Sequence, residues 1–274
     1  MLLEIQGVSG GYGRREVITD VSCTADAGEI LCLVGPNGCG KTTLFRLILG
    51  LLPATSGSIR IDGNDVSALQ PNQLARLVAY IPQFHAPVFN FTALDVVVMG
   101  RAAHFSAFEA PRQSDRELAF AALEKLGAAQ FANRPYTALS GGQRQMVLIA
   151  RAICQSAKVF IMDEPASSLD YANQQLLLDT VEELAENGYC IVMSTHNPQH
   201  PASIAHKVLL MRDGRVSAFG APDEVMTPQC LQAAYGVEMD VVGVRDRYGA
   251  ERIICLPVKR RGSAEQNAAR EDLE

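Results

Sequence analysis

The chain has 274 residues, 48% of them apolar, enough to bury a substantial core as one large domain or two small ones. A net charge of −6 argues against a general nucleic-acid binder, which presents a basic surface. No apolar run approaches the ~18 residues of a membrane span, and the opening Met1-Leu2-Leu3-Glu4 lacks the basic and long apolar regions of a signal peptide.

In chain order, residues 2–34 read as strand-rich. Leu3, Ile5 and Val8 lead to Gly10-Gly11-Tyr12-Gly13, and Ile30-Leu31-Cys32-Leu33-Val34 is a continuous apolar run, as a buried parallel strand requires. That run feeds Gly35-Pro36-Asn37-Gly38-Cys39-Gly40-Lys41-Thr42-Thr43, a complete Gly-x-x-x-x-Gly-Lys-Ser/Thr loop, and 43–51 continues as a helix. Residues 58–63 read as a short strand ending in a turn, and 78–82 as another.

Residues 90–155 read as mostly helical. Thr92 and Asp95 form a capping-box-like start, and Ser114 with Glu117 is expected to do the same for 118–126, with Gly127 ending that helix. Leu139-Ser140-Gly141-Gly142-Gln143 is a small-residue turn opening a helix with Met146, Ile149, Ala150 and Ile153 on one face. Buried strands follow at 159–162 and 190–193, with a helix at 174–186 between them and Gly188 after it. Residues 208–219, with a turn at Asp213-Gly214, read as a hairpin. Beyond Pro222 come short helices and strand-like pieces around 241–244 and 253–258. Residues 259–274, charged and Ala-rich, are expected to form a mobile tail in which Lys259-Arg260-Arg261 is solvated.

The loop at 35–43 is suited to phosphate. Backbone N–H groups from 38 to 43 can converge on the β- and γ-phosphates of a nucleotide at the positive end of a helix. Lys41 adds a point charge, and the Thr42 hydroxyl is a natural Mg²⁺ ligand. Asp163 and Glu164 follow a buried strand, where the carboxyl edge of a parallel sheet faces a ligand crevice. Asp163 suits holding Mg²⁺ through water, and Glu164 suits deprotonating an attacking water. In isolation the pair would read as solvated carboxylates at a turn. His196 ends the next strand and can reach a γ-phosphate, although a lone histidine is more often structural. Gln83, at the entry to the helical stretch, can contact metal and water, and the Tyr12 ring can stack on adenine.

Seven cysteines stand at 23, 32, 39, 154, 190, 230 and 255 with no Cys-x-x-Cys spacing, so neither a zinc site nor a redox pair is indicated. Cys39 lies inside the phosphate loop. A helix N-terminus and nearby Lys41 are expected to favour its thiolate, which makes it a candidate alkylation site; the alternative is a thiol turned inward and inert.

Together these motifs resemble the nucleotide-binding subunits of ABC transporters over about residues 1–225. In that resemblance 35–43 is the Walker A loop, Gln83 the Q-loop residue, Leu139 to Gln143 the LSGGQ signature, and 159–164 the Walker B strand with its catalytic glutamate. Ser167-Ser168-Leu169-Asp170 is the D-loop and His196 the switch histidine, while Ala166 stands where threonine is common. The resemblance implies an α/β fold, a P-loop NTPase (RecA-like) core with an N-terminal antiparallel β subdomain and a helical signature subdomain at about 90–155. It implies an ATPase domain over 1–230 and a short extension over 231–258. It implies ATP and Mg²⁺ as substrate and cofactor, with Lys41, Gln83, Glu164 and His196 catalytic and Thr42, Gln83 and Asp163 at the metal. It implies a head-to-tail homodimer in which Ser140, Gly141, Gly142, Gln143 and Asp170 of one chain close on the ATP held by the other.

Tyr136, the stretch from Ile81-Pro82-Gln83-Phe84-His85 to Val98-Met99-Gly100-Arg101, and Tyr235-Gly236-Val237 resemble the importer ATPases for iron–siderophore, haem or cobalamin, and the related molybdate and tungstate importers. That implies two integral membrane permease subunits, an indirect substrate-binding protein, no nucleic acid, and a peripheral place on the cytoplasmic face of the cell membrane. An exporter ATPase and a soluble ABC-type ATPase are the alternatives.

Overall fold

Alternation of apolar and polar residues in 3–25 and 58–65, and unbroken apolar runs such as 30–34, 159–162 and 190–193, separate the chain into two kinds of sheet. The structure is a computed structural model that describes residues 1–83, 90–105, 109–245, 247, 249 and 251–258. Phe84, His85 and the tail at 259–274 therefore lie outside the described residues.

The first sheet is antiparallel. Strands β1 (Leu3–Tyr12), β2 (Arg15–Ala25), β4 (Ala54–Ile61) and β5 (Asn64–Asp65) lie in the order β2-β1-β4-β5. Leu3, Ile5, Val8, Ile18 and Val21 turn inward to a core shared with helix α1 (Lys41–Ile48), where Leu44, Phe45 and Ile48 are buried. This half-buried alternation is what an antiparallel sheet with one wet face demands.

The second sheet has six strands in the order β10-β9-β3-β8-β7-β6. Strands β3 (Ile30–Val34), β8 (Cys190–Thr195), β7 (Val159–Met162) and β6 (Val78–Ile81) run parallel, as does β9 (Lys207–Arg212) beside β3. Strand β10 (Arg215–Gly220) closes one edge as an antiparallel hairpin with β9. Strands β3, β7 and β8 are buried along their whole length, which explains their continuous apolar sequence. Because β3, β8, β7 and β6 are parallel neighbours, residues just beyond them all emerge at one sheet edge.

The helical stretch packs α3 (Ala93–Val98), α4 (Gln113–Lys125) and α5 (Gly141–Cys154) on one another. Thr92 and Asp95 form the expected capping box at α3. Helix α4 departs from expectation. It starts at Gln113, and its box uses Asp115, whose carboxylate accepts from the Arg112 N–H at 2.9 Å. Arg101 also holds Asp115, at 3.1 Å, so a charged partner in space selects this start over Ser114 and Glu117. Gly127 follows α4 with φ 61°, the left-handed conformation that ends a helix.

Helix α2 (Pro71–Leu77) precedes β6, and α6 (Tyr171–Glu186) links β7 to β8. Helix α7 (Gln199–Ile204) follows β8, and α8 (Pro222–Val225) and α9 (Pro228–Tyr235) follow β10. The expected domain limit at 230 thus falls inside α9. Strands β11 (Met239–Arg245) and β12 (Glu251–Pro257) form a separate antiparallel hairpin. Among the described residues no helix is long and apolar enough to cross a membrane.

Candidate functional site

The carboxyl ends of β3, β6, β7 and β8 gather the chemistry that the sequence indicated. After β3 the chain turns through 35–40 into α1, whose N-cap is Gly40 at φ 110°. That dihedral needs glycine, and a Cβ there would also press on the Ile18 side chain, 2.6 Å from its Cδ1. The first N–H groups of α1 have no acceptor within the helix and are aimed out of its start. A cleft of about 340 Å³ lies over them, lined by Asn37, Gly38, Lys41, Thr42, Gln83 and Glu164 among others.

Lys41 is 6% exposed. Its ammonium donates to the Gly35 carbonyl at 2.8 Å and reaches the Pro36 carbonyl at 3.4 Å, so the loop curls around it. The Thr42 hydroxyl donates to Asp163 Oδ2 at 2.9 Å, joining the loop to the end of β7. Asp163 is buried, and its other oxygen accepts from Ser194 Oγ at 2.7 Å. That same Ser194 oxygen accepts from the Glu164 N–H at 2.9 Å. Glu164 has φ 44°, an uncommon left-handed conformation for a non-glycine residue, and Ser194 anchors its amide there.

Three side chains converge on the Glu164 carboxylate. Lys41 Nζ lies 3.6 Å from Oε1. Gln83 Nε2 donates to Oε2 at 3.2 Å, and His196 Nδ1 approaches that same oxygen at 3.0 Å, donating as an N–H. Gln83 also lies 3.4 Å from Ser167 Oγ. A carboxylate held on both oxygens, beside a cleft with a lysine at its base, can accept a proton from a water placed in that cleft. The donors near it, the Thr42 hydroxyl, the Asp163 carboxylate and the Gln83 amide, are hard oxygens of the kind Mg²⁺ takes. Among the described residues no group of three or more His, Cys, Asp or Glu side chains is placed to hold a metal ion by itself.

Behind His196, the chain is locked by His200. Asn197 Nδ2 lies 3.2 Å from His200 Nε2, and Thr195 Oγ1 lies 3.1 Å from His200 Nδ1. The amide donates to Nε2, so the ring is neutral with its proton on Nδ1. Burial, and secondly the nearby His196, hold His200 below its usual pKa.

Cys39 does not behave as the loop position suggested. It is 4% exposed, and a Cβ on Gly35 would meet its sulfur at 2.9 Å, so the thiol turns back into the protein. Burial raises its pKa against the opposing effect of Lys41, and it is absent from the cleft lining. Desolvation thus outweighs the helix N-terminus and the lysine, and the reactive-thiolate expectation is corrected.

Tyr12 is 42% exposed, with Arg46 donating to its hydroxyl at 2.8 Å and lying 5.7 Å from the ring centroid. A half-open aromatic face beside a cation suits a planar ligand, although the ring is outside the cleft lining.

The signature residues and Asp170 form a second, distinct group. Ser140 caps α5, accepting from the Gln143 N–H at 3.3 Å, while Gln143 Oε1 accepts from the Ser140 N–H at 3.0 Å. This completes a capping box that leaves the Ser140 hydroxyl proton available. Gly141 is exposed, and Gly142 lies so close to α6 that a Cβ would meet Asn173 Oδ1 at 2.5 Å. Asn173 is in turn held by Asp170, the N-cap of α6, at 2.9 Å. None of Ser140, Gly141, Gly142, Gln143 or Asp170 lines the cleft over Lys41.

Ser194 was not singled out from sequence. Its only signal was a polar residue at the end of a wholly buried strand.

The chain is similar to known proteins along most of its length. The profile of the family described as ABC transporter matches residues 18–167. An uncharacterized ABC transporter ATP-binding protein of Haemophilus influenzae is 43% identical over 211 residues, covering 77% of this chain and 80% of that protein. The cobalamin import ATP-binding protein of Halobacterium salinarum is 36% identical over 266 residues, 97% of this chain, which spans 66% of that longer protein. A solved structure described as an inward-facing conformation of a metal-chelate type ABC transporter superposes with a TM-score of 0.85 at 31% identity, covering 94% of this chain and 98% of that one.

Proposed function

The chain belongs to the ABC transporter family, and on that premise we propose that it is the ATP-hydrolysing subunit of an importer for a metal chelate such as an iron–siderophore, haem or cobalamin. The observation that carries the mechanism is the separation of two half-sites on one chain. Lys41, Thr42, Gln83 and Glu164 line one cleft, whereas Ser140 to Gln143 open a different helix and stay outside it. A second copy of the chain, arranged head to tail, supplies the signature turn to each cleft. A helix N-terminus with an available serine proton is suited to an anionic phosphate.

Within each cleft, Lys41 balances phosphate charge and Glu164 accepts the proton of the attacking water. His196 and Gln83 hold the carboxylate oxygen that they share, and Tyr12 supports adenine. Thr42 and Asp163, with Gln83, would hold Mg²⁺, which neutralises phosphate charge when bound. The further donors are backbone N–H groups within 38–43, along the loop and first turn of α1, which orient the phosphates; the Cys39 N–H is turned to the Pro36 carbonyl at 3.3 Å.

The membrane partner has a place to dock. A groove of about 870 Å³ runs between the antiparallel sheet and the helical stretch, lined by Leu51, Pro53, Leu69, Tyr80, Met99 and Arg151 among others. Leu51 and Met99 are exposed in it, as an apolar partner helix requires. Arg151 donates to the Tyr80 carbonyl at 3.2 Å, so the groove floor is tied to β6, the strand that leads to Gln83. In this reading a cytoplasmic helix of one permease subunit occupies this groove on each of the two chains, and the chain is peripheral on the cytoplasmic membrane face. An extracytoplasmic binding protein would deliver the cargo to the permease. The metal-chelate assignment rests on the cobalamin relative and the metal-chelate type transporter.

Purification of the tagged chain from detergent-solubilised membranes tests this reading. Two copies should emerge with two integral membrane subunits, identical or different, and the chelate should stimulate ATP turnover once its binding protein is added. A chain found only in the soluble fraction, hydrolysing ATP without membrane partners, would overturn the transporter assignment.

A further inference from the structure

The hairpin of β11 and β12 shares no backbone ladder with either large sheet. It is joined instead to the segment that carries His196. Gln199, three residues after that histidine, presents its side-chain amide edge-on to β12. Its Nε2 donates to the Ile253 carbonyl at 2.8 Å and its Oε1 accepts from the Cys255 N–H at 3.3 Å. The amide thus acts as a short piece of strand added to the hairpin.

The tie continues back to β8. The Gln199 N–H donates to Asn197 Oδ1 at 3.0 Å, and the Asn197 N–H donates to Thr195 Oγ1 at 3.1 Å. From the other side, Tyr235 at the end of α9 points its hydroxyl at the His196 carbonyl, 3.4 Å away, long for such a bond. The Gly35 amide faces the same phenol oxygen, and burial raises the Tyr235 pKa. The backbone around His196 is therefore fastened to two elements of the C-terminal region.

This matters because the His196 side chain is 55% exposed. Little packing fixes the ring, so its 3.0 Å approach to Glu164 depends on where its backbone is held. We propose that Gln199, assisted by Tyr235, is a positioning residue through which the C-terminal hairpin sets the distance between His196 and Glu164. The inference rests on the reading that His196 acts in hydrolysis.

The test uses the purified full chain, with Gln199→Leu, Gln199→Glu, Tyr235→Phe and His196→Ala. Gln199→Leu should lower kcat for Mg-ATP about three- to tenfold, the rate equivalent of one or two hydrogen bonds, and leave KM unchanged. Gln199→Glu, which keeps only the acceptor, should lose as much. Tyr235→Phe should lose less, as its bond is longer. The His196 ring resonance, identified by its disappearance in His196→Ala, should shift in Gln199→Leu, and Gln199→Leu should add nothing to His196→Ala. Parent-like kcat with an unmoved resonance would overturn the inference even if the melting temperature fell, because the tie would then be structural only. An equal further loss in the His196→Ala background would overturn it too, and where that background is too slow to measure the resonance decides. A His196→Ala chain as fast as the parent would instead defeat the catalytic reading of His196.

Discussion

The Lys41 ammonium lies 3.6 Å from Glu164 Oε1, with both side chains largely buried. One cation therefore faces both the phosphate loop and the proposed general base. Removing the Glu164 charge leaves Lys41 fully available to phosphates. Glu164→Gln should therefore bind ATP at least as tightly as the parent while hydrolysing it ~10²–10⁴ times more slowly, the range for losing a general base. Turnover with labelled ATP, alongside equilibrium binding, checks both halves. Near-normal turnover would remove Glu164 from its role.

Lys41→Ala should act on binding itself. Its ammonium also ties the Gly35 and Pro36 carbonyls, so its loss removes phosphate charge and loosens the loop. Losing a charge-assisted contact worth ~1.5–3 kcal/mol predicts roughly ten- to hundredfold weaker ATP binding. Calorimetry on folded mutant and parent decides. Unchanged affinity would contradict the phosphate-loop assignment.

Signature changes should act on the other chain's cleft. A mixed dimer with Ser140→Arg in one copy and Lys41→Ala in the other concentrates both defects in one composite site and leaves the second whole. It should close over one ATP. Failure to trap any nucleotide, with both chains folded, would mean that the half-sites are paired differently.

The phosphate loop was legible because its chemistry admits few residue types: glycine where backbone meets phosphate, lysine for charge, threonine for metal. Asp163 and Glu164 were legible from their place after a buried strand, and β3, β7 and β8 from unbroken apolar runs. What remained hidden depends on contacts distant in sequence. The start of α4 follows from Arg101 meeting Asp115, and the anchoring of the Glu164 backbone follows from Ser194, 30 residues away. The hairpin's grip on Gln199 spans 54 residues. No local pattern encodes such pairings. Cys39 failed for the related reason that burial, which local sequence does not report, outweighs nearby charge.

That reversal makes its own prediction. With its thiol buried and its pKa raised, Cys39 should resist maleimide at neutral pH in the native chain, with or without Mg-ATP, and react once the chain is unfolded. Peptide mass spectrometry after a short pulse reads this directly. Rapid labelling of Cys39 in the folded protein would show that the loop opens far more readily than its packing indicates.

His200 offers a pH dependence with a defined sign. The folded ring must be neutral, since Asn197 Nδ2 donates to its Nε2, and its pKa lies below the ordinary value of 6.5. In the unfolded chain the ring is free to titrate near that value. Between the two pKa values the unfolded state therefore binds more protons, so stability rises with pH. The contribution of His200 is fully present above about 6.5, declines as pH falls below it, and is gone once pH has dropped through the folded pKa. His200→Gln cannot titrate and should flatten this part of the profile. The melting temperature of the parent should fall more between pH 7.5 and pH 5.5 than that of His200→Gln, after the same buffers are applied to both. Equal slopes would show that the His200 ring titrates alike in the folded and unfolded chain, and the Thr195-His200-Asn197 lock would have to be redrawn.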